Sequence, residues 1–300
     1  MAVLYSKLRL EVPNALDGQN ATITSAGGAT RTVEMSAPIT DVMLAGLEKY
    51  RVQAGYTDES VAFGYGQIKK VGALYVPANL DDAPWSLIQQ LIASGDFGTY
   101  YAIGDIKTFV INNKTYTAEV VAINDGTGDA AQWYPANTVD FITKELYETT
   151  YRYNATNTNT GGFPSSEVKT TLNSTIYPLL PTDLKDVITE KSHSYQAGSY
   201  SSSWSSSMVT SSDKLWLPTY YEIAGATNQY ASGETSSNNK AYTLASKIKN
   251  IVGGSAYAWW LGSPYSNGSG SFWRVTADGT FGHATGASSA YGVPVCFRIG

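Results

Sequence analysis

Residues 258–300 read AWWLGSPYSNGSGSFWRVTADGTFGHATGASSAYGVPVCFRIG. Trp259, Trp260, Leu261, Pro264, Phe272, Trp273, Val275, Gly279, Gly292, Val293, Phe297 and Arg298 recur through this block as a frame. Between them lies a filler of Ser, Gly, Asn, Thr, Ala, Asp, Tyr, Phe and His, with the period of neither a strand nor a helix. The frame supplies the large apolar residues that a packed core needs. Trp259, Trp260, Phe272 and Trp273 are read as core, because aromatic side chains of this size dominate core energetics. The filler has the composition of a binding paratope, in which Tyr gives rigid amphipathic area and small residues adapt.

From Tyr265 to Gly292 there is no Lys, Glu, Gln or Met, although Lys and Glu are frequent elsewhere. Those types, with Trp, have no codon ending in C, whereas every filler type has one. An AAC codon randomised at its adenines reaches all the filler types and none of the missing ones. Chance produces such a gap on the order of a few per cent of the time given the rest of the composition. The competing reading is a Gly/Ser/Asn-rich loop that disfavours long charged side chains. The candidate ligand-binding residues are Tyr265, Asn267, Ser269, Ser271, Arg274, Thr276, Asp278, Phe281, His283, Thr285, Ser288 and Tyr291. If SFWRVTAD is a strand, Arg274, Thr276 and Asp278 share the presented face, and Trp273, Val275 and Ala277 the other. Tyr265, Phe281, His283 and Tyr291 are the expected hot spots, since interface energy concentrates in few residues.

Upstream, residues 1–76 predict a small β-sandwich that attaches or spaces the rest. VLYSKLRLEV alternates, and ATITS, TRTVEMS, KYRVQAG and SVAFGYGQIKKV follow between turn signals. Residues 77–84 read as a linker, and WSLIQQLIASG as a helix stopping at glycine. YYAIGDIKTFVINNKTYTAEVVAIND is a hairpin about Asn112-Asn113. VDFITKELYETTY is read as part strand, part helix start. SSEVKTTLNSTIYPLLPTDLKDVI predicts two helices, each capped by Ser or Thr before an acid. YSSSWSSSMVTSSD is read as a low-complexity loop containing the isolated Trp204, KLWLPTYYEIAG as a strand entering a turn, and AYTLASKIKNIVG as an amphipathic helix. Together, residues 77–300 predict a compact α+β domain closed by short C-terminal strands, with a variable face over about 258–300.

Three hundred residues suit two such domains. Charged residues are 15% of the chain against roughly 25% in ordinary globular proteins, and the net charge is −5. That balance argues against nucleic-acid partners and against attraction to anionic membranes. The single cysteine, Cys296, rules out an internal disulfide framework and reads as a buried small hydrophobe. MAVLYSKLRLEV lacks the apolar run of a signal peptide. His193 and His283 are far apart in sequence, and nucleophile elbows, P-loops, HExxH and CxxC motifs do not occur. Asn124-Asp125-Gly126-Thr127-Gly128-Asp129 has no closing Glu and reads as a turn rather than a calcium loop. The residues thus predict no enzyme activity, no cofactor and no metal.

The succession YAIGDIKTFVINNKTYTAEVVAI, GGFPSSEVKTTLNSTIYPLLPTDLKDVI, KLWLPTYYEIAG, YAWWLGSPYS and GVPVCFRI resembles a domain family of uncharacterised function in gut Firmicutes and their phages. It is similar to C-type-lectin-like, formylglycine-generating-enzyme-like domains, the variable proteins of diversity-generating retroelements. The resemblance covers roughly residues 77–300. Gly262 stands where the family has Arg, and Val295-Cys296 depart from its usual small residues. The resemblance implies the C-type-lectin-like fold, without the reactive cysteines of the enzymes. It also implies adenine-directed diversification of a C-terminal ligand-binding face. The resulting expectation is a phage virion protein, made without a signal peptide, that presents this face to a bacterial surface receptor, protein or glycan. Its N-terminal domain would contact other virion proteins, and the chain would be a homo-oligomer such as a trimer. The alternative is a capsid decoration or head-fibre protein whose C-terminal domain binds glycans or a neighbouring subunit. An enzyme acting on glycans and a bacterial adhesin are the weaker rivals, the one lacking convergent acids and the other a signal peptide.

Overall fold

In the computed structural model, residues 9–11, 20–24, 30–34, 76–124, 135–198, 208–225, 234, 242–265, 268–283 and 286–300 are described. The chain divides into two compact units, Met1–Ile88 and Gln89–Gly300. In the first, β1 (Arg9–Glu11), β2 (Asn20–Thr24) and β3 (Thr30–Glu34) form an antiparallel sheet with Leu10 opposite Ile23 and Ala21 opposite Val33. These match the first three expected strands. The other strands of the expected sandwich lie outside the described residues. Residues 77–84 contain a 3-10 turn, Leu80–Asp82, and the helix Trp85–Ser94 follows Pro84 directly.

The second unit is mixed α+β, built on a five-stranded antiparallel sheet. It contains β4 (Ile106–Ile111), β5 (Lys114–Asn124), β6 (Thr138–Leu146), β8 (Ile188–Thr189) and β15 (Pro294–Ile299), in the order β4-β5-β6-β15-β8. Exposure alternates along β4, with Lys107, Phe109 and Ile111 turned inward. Asn112 and Asn113 both have positive φ, 49° and 61°, which a two-residue hairpin of primed type requires. Every residue of β15 is buried, as expected of a strand covered on both faces. Phe141 on β6 stacks on Phe297 at 5.2 Å, and Phe109 meets the same ring edge-on at 6.1 Å.

Smaller pairs surround this sheet. β7 (Tyr151–Arg152) pairs with β14 (Ala290–Tyr291), and β9 (Lys191–Gln196) with β10 (Met208–Asp213). β11 (Trp259–Pro264), β12 (Phe272–Val275) and β13 (Phe281–His283) form a separate antiparallel sheet.

Several local expectations give way to tertiary structure. VDFITKEL is wholly strand, because β6 is hydrogen-bonded by both β5 and β15. MVTSSD, expected as loop, pairs along its length with β9, whereas residues 199–207, with Trp204, lie outside the described residues. TYYEIAG is a short helix, Tyr220–Ala224. Thr219 and Glu222 form a capping box at its start, and Gly225 closes it at φ 66°. Residues 242–253 form no helix, because their backbone serves β6: Leu146 N–H donates to Asn250 O and Val252 N–H to Leu146 O. The first expected cap in 165–187 forms, with Ser166 Oγ accepting from Lys169 N–H at 3.2 Å. The second helix, Thr182–Lys185, starts at Pro181 without a side-chain cap.

Candidate functional site

The frame residues Trp259, Trp260, Leu261, Phe272, Trp273 and Val275 are buried on β11 and β12, whereas Phe297 and Arg298 lie in β15. Trp259, Trp260 and Phe272 are fully buried, and Trp273 retains 6% exposure. Tyr153 stacks on Phe272 at 3.5 Å and meets Trp260 edge-on at 5.2 Å. Trp260 Nε1 donates to Tyr151 O at 2.9 Å, and Trp259 Nε1 to Lys247 O at 2.9 Å, so neither indole is buried unsatisfied. At Gly262 a Cβ would overlap the Tyr195 ring and lie 2.8 Å from Leu217 O. In this chain the space of a side chain at 262 is taken by Tyr195, and the Gly262 carbonyl accepts from Tyr153 OH at 3.3 Å.

The filler segments are clamped by one polar segment, Asn154–Thr160. Asn159 is 1% exposed, and its Nδ2 donates to Tyr265 O, Gly268 O and Ser271 O at 3.1, 2.8 and 3.0 Å. Its backbone N–H donates to Ser269 O at 2.8 Å. Asn157 Oδ1 accepts from Ser288 N–H at 3.0 Å and Ser288 Oγ–H at 2.7 Å. Ala287 joins the two loops, donating to Gly270 O at 2.7 Å and accepting from Tyr153 N–H at 2.8 Å. These loops lack regular structure, yet the carbonyls of Tyr265, Gly268, Ser269, Gly270 and Ser271 all accept hydrogen bonds.

The expected site residues separate onto two faces. Directly opposed residues of an antiparallel pair share a face. Val275 opposes Phe281 and Trp273 opposes His283, whereas Arg274 opposes Trp260 and Gly282. On one face, half-buried Tyr265 lies edge-on to Trp273 at 5.3 Å, and Phe281 packs on Tyr220 at 4.8 Å. Tyr220 also packs on Trp273 at 4.4 Å, and Lys247 Nζ lies 4.6 Å from the Phe281 ring centre. On the other face, the Arg274 guanidinium lies over the Tyr291 ring at 4.5 Å, and Tyr291 meets Trp260 edge-on at 4.7 Å.

Thr276 and Asp278 depart from expectation. The strand stops at Val275, and Thr276–Thr280 is a turn closed by Thr276 N–H donating to Thr280 O at 2.8 Å. Asp278 Oδ1 accepts from Thr276 Oγ1–H, from Thr280 Oγ1–H at 2.8 Å and from Thr280 N–H at 3.1 Å. Those bonds hold its carboxyl down to about 2. The alternation that places Arg274 opposite Trp273 and Val275 holds only within 272–275. Ser269 and Ser288 are exposed, and Ser271 is half-buried. His283 is in β13, and Asn267 and Thr285 lie outside the described residues, as do residues 125–129 of the Asn124–Asp129 turn.

Beneath the frame lies a buried ionic cluster that sequence reasoning did not assemble. Asp140, Lys191 and Glu222 are fully buried, His193 is 1% exposed and Arg298 2%. Arg298 Nε and Nη2 donate to the two Asp140 oxygens at 2.6 and 2.9 Å. Lys191 Nζ donates to Glu222 Oε1 at 2.8 Å, to Asp140 Oδ2 at 3.3 Å and to Tyr242 OH. His193 Nε2 lies 2.8 Å from Glu222 Oε2, and its Nδ1 2.8 Å from Tyr195 OH. Burial alone would raise the Asp140 carboxyl, but Arg298 and Lys191 hold it below its ordinary value. Burial also opposes ionisation of Glu222, and His193 and Lys191 outweigh it. Burial lowers His193 from 6.5 to about 4, against the opposing pull of Glu222. Such a cluster fixes geometry. It is sealed from solvent and offers no surface to a substrate.

The cluster reaches the frame through Glu222, which caps the helix carrying Tyr220. Tyr220 N–H donates to Ser263 Oγ at 2.6 Å, and Ser263 Oγ–H to the buried Glu234 Oε2 at 2.6 Å. Burial pushes Glu234 up to about 8. Cys296 is buried in β15, as expected, and burial pushes its thiol up.

Asn157, Asn159, Tyr220 and Lys247 were missed. The run NATNTNT at 154–160 is a turn-like polar cluster that signals a loop, and nothing local says which distant carbonyls it will hold. Among the described residues, no group of three or more His, Cys, Asp or Glu side chains is placed to hold a metal ion. None of their helices is long and apolar enough to cross a membrane. A cavity of about 200 Å³ lies among Ile92, Phe97, Ile123, Asn124, Asn137 and Val139, and none of the expected site residues lines it.

No curated protein matches the chain, and no solved structure does. The model of DUF6273, a domain of unknown function, matches residues 137–300, and the chain belongs to that family.

Proposed function

We propose that the second unit is a recognition module. Its C-terminal loops, held on a rigid aromatic frame, bind a ligand on a bacterial surface. The observation that carries this reading is the division of labour in 258–300. Trp259, Trp260, Phe272 and Trp273 are buried, while Tyr265, Ser269, Arg274, Ser288 and Tyr291 remain accessible on loops or strands fixed by Asn157, Asn159 and the sheet. Preorganised loops lose little conformational entropy on binding, so small polar and aromatic contacts suffice. The C-type-lectin-like fold and the virion setting are the finer parts of the proposal. Both rest on the motifs of residues 77–300. Display in several copies would convert weak single contacts into avidity.

The structure sharpens the test of diversification. Gly270 and Gly286 abut Asn157, a Cβ on Gly270 lying 2.9 Å from Asn157 O, and Gly279 holds φ 84° beside Ile248. Gly270 and Gly286, although they sit within the filler, thus join the frame residue Gly279 in the scaffold. The DNA flanking the gene should contain a near-identical repeat of codons 265–291. Mismatches should be confined to template adenines, fall on codons such as those of Ser269, Arg274 and Ser288, and spare the three glycines. Mismatches spread evenly over frame and filler, or no such repeat, would refute diversification and leave a fixed binding surface.

A further inference from the structure

Three arginines have described side chains. Arg298 is paired with Asp140, Arg152 Nε donates to Glu167 at 2.9 Å, and Arg274 has no hydrogen-bonded acceptor and no ion-pair partner among the described residues. Arg274 is nevertheless held in place. Its guanidinium carbon lies over the Tyr291 ring, 4.5 Å from the ring centre, and Tyr291 is backed by Trp260. Its Nε is sealed from solvent and would lie 3.4 Å from a Cβ at position 282, so Gly282 provides the room in which the side chain lies. The side chain as a whole is half-buried, and its outer nitrogens are not sealed. Stacking on an aromatic ring orients an arginine while leaving its planar edge free, the geometry that grips a carboxylate through two parallel hydrogen bonds. An oriented, partly desolvated cation without a counter-ion is costly unless a ligand supplies one.

We propose that Arg274 is the anchor of the recognition face for a carboxylate, and that the ligand is an acidic saccharide of the hexuronic-acid class. This rests on the recognition reading above. The saccharide class follows from the surroundings. The loops flanking Arg274 in sequence present Ser269, Ser271, Ser288 and Ser289, whose hydroxyls suit sugar hydroxyls. The large apolar side chains Trp259, Trp260 and Phe272 are fully buried and so do not serve as anchors for a peptide ligand. Tyr291 and Gly282 act as positioning residues for Arg274.

The test uses the full chain with an oligomer of galacturonic acid, the neutral galactose oligomer of the same length, and a poly-glutamate peptide, read by titration calorimetry or saturation-transfer NMR. R274M keeps the side-chain stem and removes the charge, and R274K keeps the charge without the fork. Thermal melts establish that both variants fold. The galacturonate oligomer should bind the wild type, weaken about 10- to 100-fold with R274M and less with R274K, and exceed the neutral oligomer. Equal binding by R274M, or equal binding of the neutral oligomer, would overturn the assignment. Preference for poly-glutamate would overturn the saccharide class. If galacturonate fails while the labelled chain still coats a panel of Gram-positive cells, this inference falls and the recognition reading stands. If the chain binds neither, both fall.

Discussion

Asn159 carries the clamp on the 265–271 loop, and removing it gives the most direct measure of that loop's rigidity. Its Nδ2 has two hydrogens shared among three carbonyl oxygens at 2.8–3.1 Å, with the side chain almost wholly buried. In N159A two hydrogen bonds are lost, at about 1 kcal/mol each, and the carbonyls that cannot reach water add about 1–3 kcal/mol. The loop should therefore be destabilised by about 3–5 kcal/mol. A chain of two units has no single free energy of unfolding, so the loss is best read locally, by amide hydrogen exchange. Tyr265 N–H, which donates to Ser271 O at 2.8 Å, reports on the loop closure. Its protection should fall at least about 100-fold, since every 1.4 kcal/mol is tenfold. Protection at β15 should change little, because the carbonyls held by Asn159 Nδ2 belong to the 265–271 loop. N159D should be worse than N159A, since it turns an oxygen toward three others. Unchanged exchange at Tyr265 in N159A would refute the clamp, and equal loss at β15 would show global rather than local loosening.

Two buried groups give stability opposite pH slopes. His193, lowered by burial to about 4, contributes stability that is present above 6.5 and lost as pH falls from 6.5 to 4, at about 1.4 kcal/mol for each pH unit between those values. Glu234, raised by burial to about 8, contributes stability that is present below 4.5 and lost as pH rises from 4.5 to 8. Urea midpoints measured across this range should show H193Q flattening the acid limb and E234Q the alkaline one; a pH profile unchanged in E234Q would contradict its buried neutral state. G262A forces a methyl against Tyr195 and should cost about 1–3 kcal/mol, seen as a lowered thermal midpoint, and an unchanged midpoint would show that the Tyr195 ring yields freely. Iodoacetamide should leave Cys296 unmodified in the native chain and alkylate it in denaturant; rapid native labelling would place β15 elsewhere than in the core.

Where a signal was local, the sequence was legible. The Asn-Asn hairpin, the buried tryptophans and the Ser166 cap follow from turn geometry, side-chain volume and a capping hydroxyl. Segments whose conformation depends on distant partners were misread. SKIKNIVG has helical spacing, yet its amides and carbonyls are taken by Leu146 and its Lys249 ammonium by Thr143 O at 2.5 Å. MVTSSD looks unstructured because its residues are small and polar, and β9 imposes the strand. For the site, the sequence names the side chains of the filler but not their arrangement. Thr276 and Asp278 close a turn, and the aromatic residues divide between two sides of a sheet whose pairing no short window reveals. The ionic cluster draws on Asp140, Lys191, Glu222 and Arg298, separated by up to 158 positions, and so has no sequence spacing to recognise.

β15 follows the whole filler in the chain and lies between β6 and β8 in the five-stranded sheet, with Arg298 neutralising Asp140 beside it. A frameshift or premature stop anywhere within codons 265–291 deletes that strand. It exposes the edges of β6 and β8 and strands a carboxylate in the interior. β15 thus acts as a proofreading seal for everything encoded before it. Whatever changes the loops between β11 and β15 undergo, only a chain that keeps the reading frame through residue 294 completes the five-stranded sheet.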